Sequence, residues 1–550
     1  MFSPLQSSML LVLSGMVAVL AAQLMRMKYC ILDKLCKYFI CQGGGFMRSF
    51  LWRSVMKEME NTTEDQPETN SEQDLQKSLS DNLRENEQTL RGVFHQCSDV
   101  VFRLISVENQ PEVLMVYVDG LVDTKAMEQF ILRPLMLRNP SFVEGPHSHL
   151  GKVLEEHLVF IAQTKVVTNF QDLVNEVFKA HVAILTEGEG RALLADAGGF
   201  DKRSIEESKV ENVIQGPRDS FTETLRTNTM LLRRRIPSAR LKLESFTIGE
   251  LTRTDTALAY VEGIADPDLL EEVRQRLHHV RLEGIMDSSY IEEYIQDNPR
   301  SPFPQVQKTD RPDTTAASLL EGKIAVLVDC SPSVLILPTT FLVGMQSADD
   351  YYERFDFVAA RKMVRYCMMV ISLIFPSLYV SLTTYNPDLL PGSLYVSIGT
   401  AREKSPFPTV IEIVLMDFVF EGLQEAGIRM PSQLGPVVSI VGALVVGEAA
   451  VRANIISAPI VIVIAFTGIA SYGIPRYGFS IPFRLLRFAL VILAGIYGLY
   501  GLSLGIIAIL IHLVTLESFG IRYLTPIAPL NVKHLKDVLF RTTRWSRRKS

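Results

Sequence analysis

Residues 485–516 read LLRFALVILAGIYGLYGLSLGIIAILIHLVTL, with Arg487 as the single Lys, Arg, Asp or Glu. About 20 apolar residues suffice to cross a bilayer as a helix, so this block reads as membrane-embedded. Working back toward the N-terminus, 363–384 (MVRYCMMVISLIFPSLYVSLTT) holds one charge, Arg365. Residues 434–451 hold only Glu448, and 455–475 hold none. Blocks of this kind in series do not suit a soluble core. The stretch 361–516 therefore predicts an all-α polytopic membrane domain of four to six helices, with outer limits at 346–532.

The rest of the 550-residue chain is different. The averages are ordinary, 47% hydrophobic, 21% charged and a net charge of −6, but they hide a polar, charge-rich region at 58–320. A mildly acidic chain gives no reason to expect nucleic acid as a partner. The cysteines Cys30, Cys36, Cys41, Cys97, Cys330 and Cys367 form no C-x-x-C pair and no metal-like spacing with histidine, so neither a disulfide framework nor a zinc site is expected. No metal and no cofactor is expected. His147, His149, His157 and His181 lack acid or nucleophile partners at motif spacing, which argues against an enzyme.

Residues 1–56 form an apolar N-terminal extension in which 9–25 precede Arg26, Lys28, Lys34 and Lys37. That charge order is the reverse of a secretory signal. It reads either as an extra anchor or as a misplaced start, with Met47 or Met56 the true one. Residues 57–91 are acidic and hydrophilic, a flexible tether by composition, with a helix possible from Leu75 onward.

Residues 92–345 read as soluble α/β with an internal repeat. Val116-Tyr117-Val118-Asp119-Gly120 resembles Ala259-Tyr260-Val261-Glu262-Gly263, and each precedes a helical pattern (Lys125–Arg133 and Pro267–Leu277). Val182-Ala183-Ile184-Leu185 matches Ile324-Ala325-Val326-Leu327, each opening a hairpin, at EGEG (187–190) and CSPS (330–333). Val116 to Val182 and Ala259 to Ile324 are 66 and 65 residues apart. Two matches in order at the same separation predict duplication: one α/β subdomain at 92–210, then a linker helix and a second, related one at 211–345. Helices are expected near 169–179 and 220–234 from apolar periodicity. Asp219 or Ser220 is a candidate cap for the latter, with Glu223 in its first turn. Arg233–Arg235 reads as a partner or headgroup contact or, more often for such a run, as a salt-bridged helix end.

Several landmarks together resemble the A subunit of GerA-type spore germinant receptors, over about 85–545. They are Gly216, Pro217, Arg218, Asp219, Phe221, Glu223 and Asn228; SPFPQ at 301–305 and RPD at 311–313; and YYERF at 351–355. Arg402-Glu403 with Pro406-Phe407-Pro408, SIVGALV at 439–445 and Ser518-Phe519-Gly520 complete the set. The resemblance implies a membrane subunit in the spore inner membrane, acting with a transporter-like B-type subunit and a C-type lipoprotein. It further implies that a small-molecule germinant acts through the complex, that monovalent cations are released, and that the chain is a homo-oligomer forming the channel. Related sporulation paralogues share the architecture, so a scaffold that organises partners without conducting is the alternative.

Within the membrane block, Asp417, Glu421 and Glu425 recur every fourth residue and fall on one stripe of a helix over 409–426. Intramembrane acids usually face water or partners, which makes the three a candidate ion path; an interfacial helix with its acids in water is the alternative. Ser439, Ala443 and Gly447 form a small-residue stripe suited to close helix packing in lipid. Glu448 is expected to pair with Arg452. The basic flanks, Arg361, Lys362 and Arg365 before the first block and the tail 533–550, place the soluble domain and the tail in the cytoplasm by the positive-inside rule. Both ends inside requires an even number of crossings. Six, with the last block broken near Gly498–Gly501, suits the loop charges better than four.

Overall fold

The computed structural model describes residues 75–106, 112–136, 163–199, 211, 213, 215–429 and 445–530, apart from the Ile428 side chain. The apolar extension, Ser439, Ala443, the basic tail, Cys30, Cys36, Cys41, His147, His149 and His157 lie outside them.

The first subdomain opens with helix α1 (Leu83–Val93), begun by Asn82, whose Oδ1 accepts from the Arg84 N–H at 3.0 Å. A side-chain acceptor here satisfies first-turn donors that have no intrahelical partner. Strands β1 (Val100–Ile105) and β2 (Val113–Val118) follow, then a continuous helical stretch α2 made of Thr124–Met127, a π turn Glu128–Leu132 and Arg133–Met136. Next come β3 (Thr164–Val167), α3 (Phe170–Val177), β4 (His181–Thr186) and β5 (Ala192–Asp196). The second subdomain repeats the order: α4 (Leu225–Arg235), β6 (Leu241–Ile248), β7 (Thr254–Val261), α5 (Pro267–His279), an added α6 (Ser288–Ile295), β8 (Gln307–Thr309), α7 (Pro312–Leu320), β9 (Ile324–Val328) and β10 (Val334–Leu337).

Both sheets are five-stranded, and every pairing in them is antiparallel. The orders β1-β2-β4-β5-β3 and β6-β7-β9-β10-β8 are the same path. The repeat reaches the register. Val116 faces Ala183 in the first sheet and Ala259 faces Ala325 in the second, which are the residues matched by the sequence repeat. β2, β4, β9 and β10 are buried along almost their whole length because helices cover both faces, whereas the edge strand β3 is mostly exposed. That is why the central strands read as unbroken apolar runs rather than as alternation.

One core serves both subdomains. Leu83, Leu90, Leu114, Leu173, Leu231, Leu243, Ala259 and Leu327 belong to a single buried cluster. The seam is tied by backbone: Ser98 N–H donates to Leu243 O at 3.0 Å and Leu243 N–H to Gln96 O at 2.9 Å. It is also tied by Arg233, fully buried on α4, which forks onto Asp99 (2.6 and 2.8 Å) and lies over the Phe178 ring. The basic run is therefore salt-bridged. Arg235 forks onto Asp219 with both bonds at 2.8 Å. Thr224, rather than Asp219 or Ser220, holds the N-cap position of α4 without a side-chain cap bond, and the Leu225 N–H donates to Asp329 at 2.9 Å.

The helical region contains α8 (Phe355–Thr384), α9 (Gly392–Arg402), α10 (Thr409–Arg429), a helical segment at 445–452, α11 (Ala458–Tyr472) and α12 (Tyr477–Thr515). Among the described residues, α8 and α12 are long and apolar enough to cross a membrane, and α11 is a shorter apolar helix. α12 is broken at Gly498, whose φ of 60° and ψ of −140° are not helical. A Cβ on Gly505 would come within 2.3 Å of Leu490 and 3.2 Å of Leu493. A straight helix would separate residues 490 and 505 by roughly 22 Å at 1.5 Å per residue, so the chain doubles back. The single Tyr385 O–H is shared between Gly495 O (2.7 Å) and Ile496 O (2.9 Å), just before the break.

Candidate functional site

Two places bring charged or motif residues together. The first is the junction where the second subdomain meets the C-terminal helices. Phe303 of the SPFPQ connector packs edge-on against Phe341 and Phe483, in a cluster with Phe479, Leu513 and Tyr523. Polar bonds fix the same contact. The Tyr523 hydroxyl donates to Pro304 O and the Ser518 hydroxyl to Gln305 O, both at 2.7 Å, and Ser301 Oγ lies 2.9 Å from His512 Nε2. Phe519 N–H donates to Asp297 at 2.6 Å, with the Arg276 guanidinium over the Phe519 ring.

The Gly-Pro-Arg-Asp turn meets this junction from the other side. Gly216 has a φ of 117°, and an added Cβ would fall 2.7 Å from the Tyr352 ring, so the backbone needs glycine there for both space and conformation. Pro217 O accepts from Arg311 Nη2 at 2.8 Å, and Arg311, fully buried, also forks onto Asp313. Asp313 in turn accepts from the Tyr352 hydroxyl at 2.5 Å. Burial and the Asp313 carboxylate both raise the Tyr352 hydroxyl well above the usual phenol range. Asn228 bonds both ways with Thr222, and Phe221 is buried in the shared core. Glu223 O accepts from Cys330 N–H at 2.7 Å. From YYERF the chain enters α8, where Arg361 and Arg365 both bond Asp350. Burial acts to raise Asp350, but the two guanidiniums and the Ser347 N–H hold it below the usual carboxylate range.

The second place is between α10 and the first arm of α12. Asp417 is 1% exposed and accepts from Arg487 Nε at 2.9 Å. Glu421 accepts from Arg487 Nη2 and from Arg484 Nε, each at 2.8 Å. The acids are spaced i, i+4 and the arginines i, i+3, so each pair lies on one helix face and the two faces meet. Two carboxylates and two guanidiniums balance one another at this contact. Glu425 is separate, exposed and paired with Arg429 one turn on. Glu412 on α10 is fully buried and accepts from the Ser457 N–H at 2.8 Å. Close approach is set by glycines: a Cβ on Gly468 would meet Phe420 at 2.2 Å, and one on Gly495 would meet Val410 at 2.6 Å. Gly447 is buried, with Val461 3.2 Å from a would-be Cβ. The Glu448–Arg452 pair forms on an exposed face. Arg484 and Arg487 belong to this site although no motif spacing joins them to Asp417 and Glu421. The available signal was a pair of arginines set three apart at the head of an apolar block.

The sequence profile described as "Bacillus/Clostridium GerA spore germination protein" matches residues 88–550. The chain belongs to the GerA family of spore germination proteins. Among its relatives is an uncharacterized membrane protein, YfkQ, of Bacillus subtilis (strain 168), 40% identical over 475 residues, covering 86% of this chain and 92% of that one. Spore germination protein KA of the same strain is 39% identical over 471 residues, 85% of each. A crystal structure of the N-terminal domain of the A subunit of the Bacillus megaterium spore germinant receptor GerK3 covers 47% of this chain and 96% of its own, at 32% identity and a TM-score of 0.39. Among the described residues no group of three or more His, Cys, Asp or Glu is placed to hold a metal ion.

Proposed function

We propose that this chain is the A-type subunit of a germinant receptor complex in the spore inner membrane, coupling nutrient sensing to the release of monovalent cations as part of an oligomeric channel. In this reading it works with a B-type transporter-like subunit and a C-type lipoprotein, and the germinant acts through the complex. The soluble domain and the tail face the cytoplasm, with six crossings supplied by α8, α10, the segment ending near 452, α11 and the two arms of α12. The observation that carries the ion path is the position of Asp417 and Glu421, both within the helix bundle, on a stripe that Glu425 extends to an exposed face. Arg484 and Arg487 then act as resident counterions of the closed path, and opening exchanges a guanidinium for a hydrated cation, at a cost that only a conformational change can offset.

The rival reading, a scaffold that does not conduct, is favoured by the same network, because Asp417 and Glu421 already have their charge compensated within the chain. The combined variant Asp417→Asn, Glu421→Gln, Glu425→Gln separates the two. Altered cation release from spores, with the complex assembled at wild-type level, supports the path. Unchanged release with normal assembly leaves the scaffold.

A further inference from the structure

At the junction, three cavities open around a single side chain, Arg476. One of about 390 Å³ is lined by Glu211, Lys308, Ser333, Thr339, Arg476 and Phe479. A second, of about 270 Å³, adds Arg361 and Arg365. A third, of about 70 Å³, adds Lys323. Cavities of the larger size accommodate small molecules. Most of the lining charge is already matched. Lys308 pairs with Glu292, Arg361 and Arg365 pair with Asp350, and Lys323 lies 3.9 Å from Glu321.

Arg476 is the exception. Among the described residues its guanidinium takes no hydrogen bond or ion pair; Glu211 and Tyr351 act on it only through their field. Arg476 is itself only partly buried, so its guanidinium is open to the cavities rather than sealed in the protein. Burial also pushes the neighbouring Glu211 carboxyl up, toward its neutral form, which lessens any repulsion of an incoming anion.

The backbone supplies further donors at the same place. Arg476 is the N-cap residue of α12, and its side chain makes no cap hydrogen bond. Phe479 and Ser480 donate to Arg476 O, while among the described residues Tyr477 N–H and Gly478 N–H have no carbonyl acceptor. Free first-turn donors beside a positive helix end favour an anion.

We propose that Arg476 and the first turn of α12 bind an oxyanion, a carboxylate or a phosphate, in the cavity between the second subdomain and the membrane helices. The site joins the SPFPQ side of the junction to the start of α12, so its occupancy links the soluble domain to the helix that carries Arg484 and Arg487. It does not depend on whether Asp417 and Glu421 line an ion path.

Two sources share this chemistry, a free small anion and the phosphate of an anionic lipid. The full chain in nanodiscs distinguishes them. In phosphatidylcholine discs, titration with inorganic phosphate or succinate, against chloride at equal ionic strength, is followed by calorimetry and by the thermal midpoint. Saturable binding weakened about tenfold or more by Arg476→Gln, as expected for a lost charged hydrogen bond, supports a free anion. A higher midpoint only when phosphatidylglycerol replaces phosphatidylcholine, abolished by the same substitution, supports the headgroup. Should Arg476→Gln fail to fold, Gly478→Asp decides. An added Cβ there meets nothing within 4 Å, and a carboxylate in the first turn occupies the site while suiting the helix end. Loss of the response in this variant supports the proposal. No response in the folded wild type to either anion or lipid overturns it, as does a response that both substitutions leave intact.

Discussion

The two α/β subdomains share a strand order and cross-strand partners, yet the equivalent helices α3 and α7 begin differently. α3 starts with Asn169, whose side chain accepts from the Asp172 N–H at 2.7 Å. α7 starts with Arg311, which caps nothing with its side chain and instead forks onto Asp313 and reaches Pro217 O. The first copy uses the position to secure its own helix. The second turns it outward, to the Gly-Pro-Arg-Asp turn and, through Asp313 and Tyr352, to the approach to α8. Duplication provides two frames of equal topology, and the contacts with the C-terminal helices described above are built on the second.

Three substitutions sharpen or break that comparison. Arg311→Met should have the largest effect, about 3–5 kcal/mol, since removing one member of a buried pair strands the other. Denaturant unfolding of the detergent-solubilised chain reads it, and a loss below about 1 kcal/mol would mean that Arg311 is no keystone. Gly216→Ala comes next, at about 1–3 kcal/mol, from a positive φ combined with the Tyr352 ring; a smaller loss would show that Tyr352 can move aside, checked by proteolysis at 351–355. Asn169→Ala should cost only about 1 kcal/mol, the value of one helix cap. Its effect should stay within the first subdomain, with amide exchange faster in α3 and unchanged in α8. Faster exchange in α8 would erase the distinction between the copies.

Much of the soluble fold was legible in the chain. Strands covered on both faces must be apolar throughout, so the repeat survives as paired apolar runs, and Val116–Val118 and Ala259–Val261 could be matched directly. Glycine and proline marked the turns because few other residues adopt those backbone shapes. The six-crossing reading breaks the last apolar block near Gly498–Gly501, and the structure breaks it at Gly498. The acidic stripe on α10 was legible by periodicity, but the residues that face it were not. Arg484 and Arg487 stand more than sixty positions away from Asp417 and Glu421, and no local pattern links an acid on one helix to a base on another. Asp219 shows the same limit at shorter range: its spacing suits a helix cap, while the fold gives it to Arg235.

The sequence by itself determined where the chain is apolar enough for lipid, that its soluble part is a duplication, and which family it belongs to. Those properties reside in the order of residue types, because burial and helix or strand period act on neighbours. Only the tertiary structure decided which charges neutralise one another. It set Arg487 against Asp417, Arg233 against Asp99 and Arg235 against Asp219, and it left Arg476 facing a cavity. Charges buried away from water must be satisfied by whatever the fold brings within about 3 Å, and that distance is a property of packing, not of position along the chain.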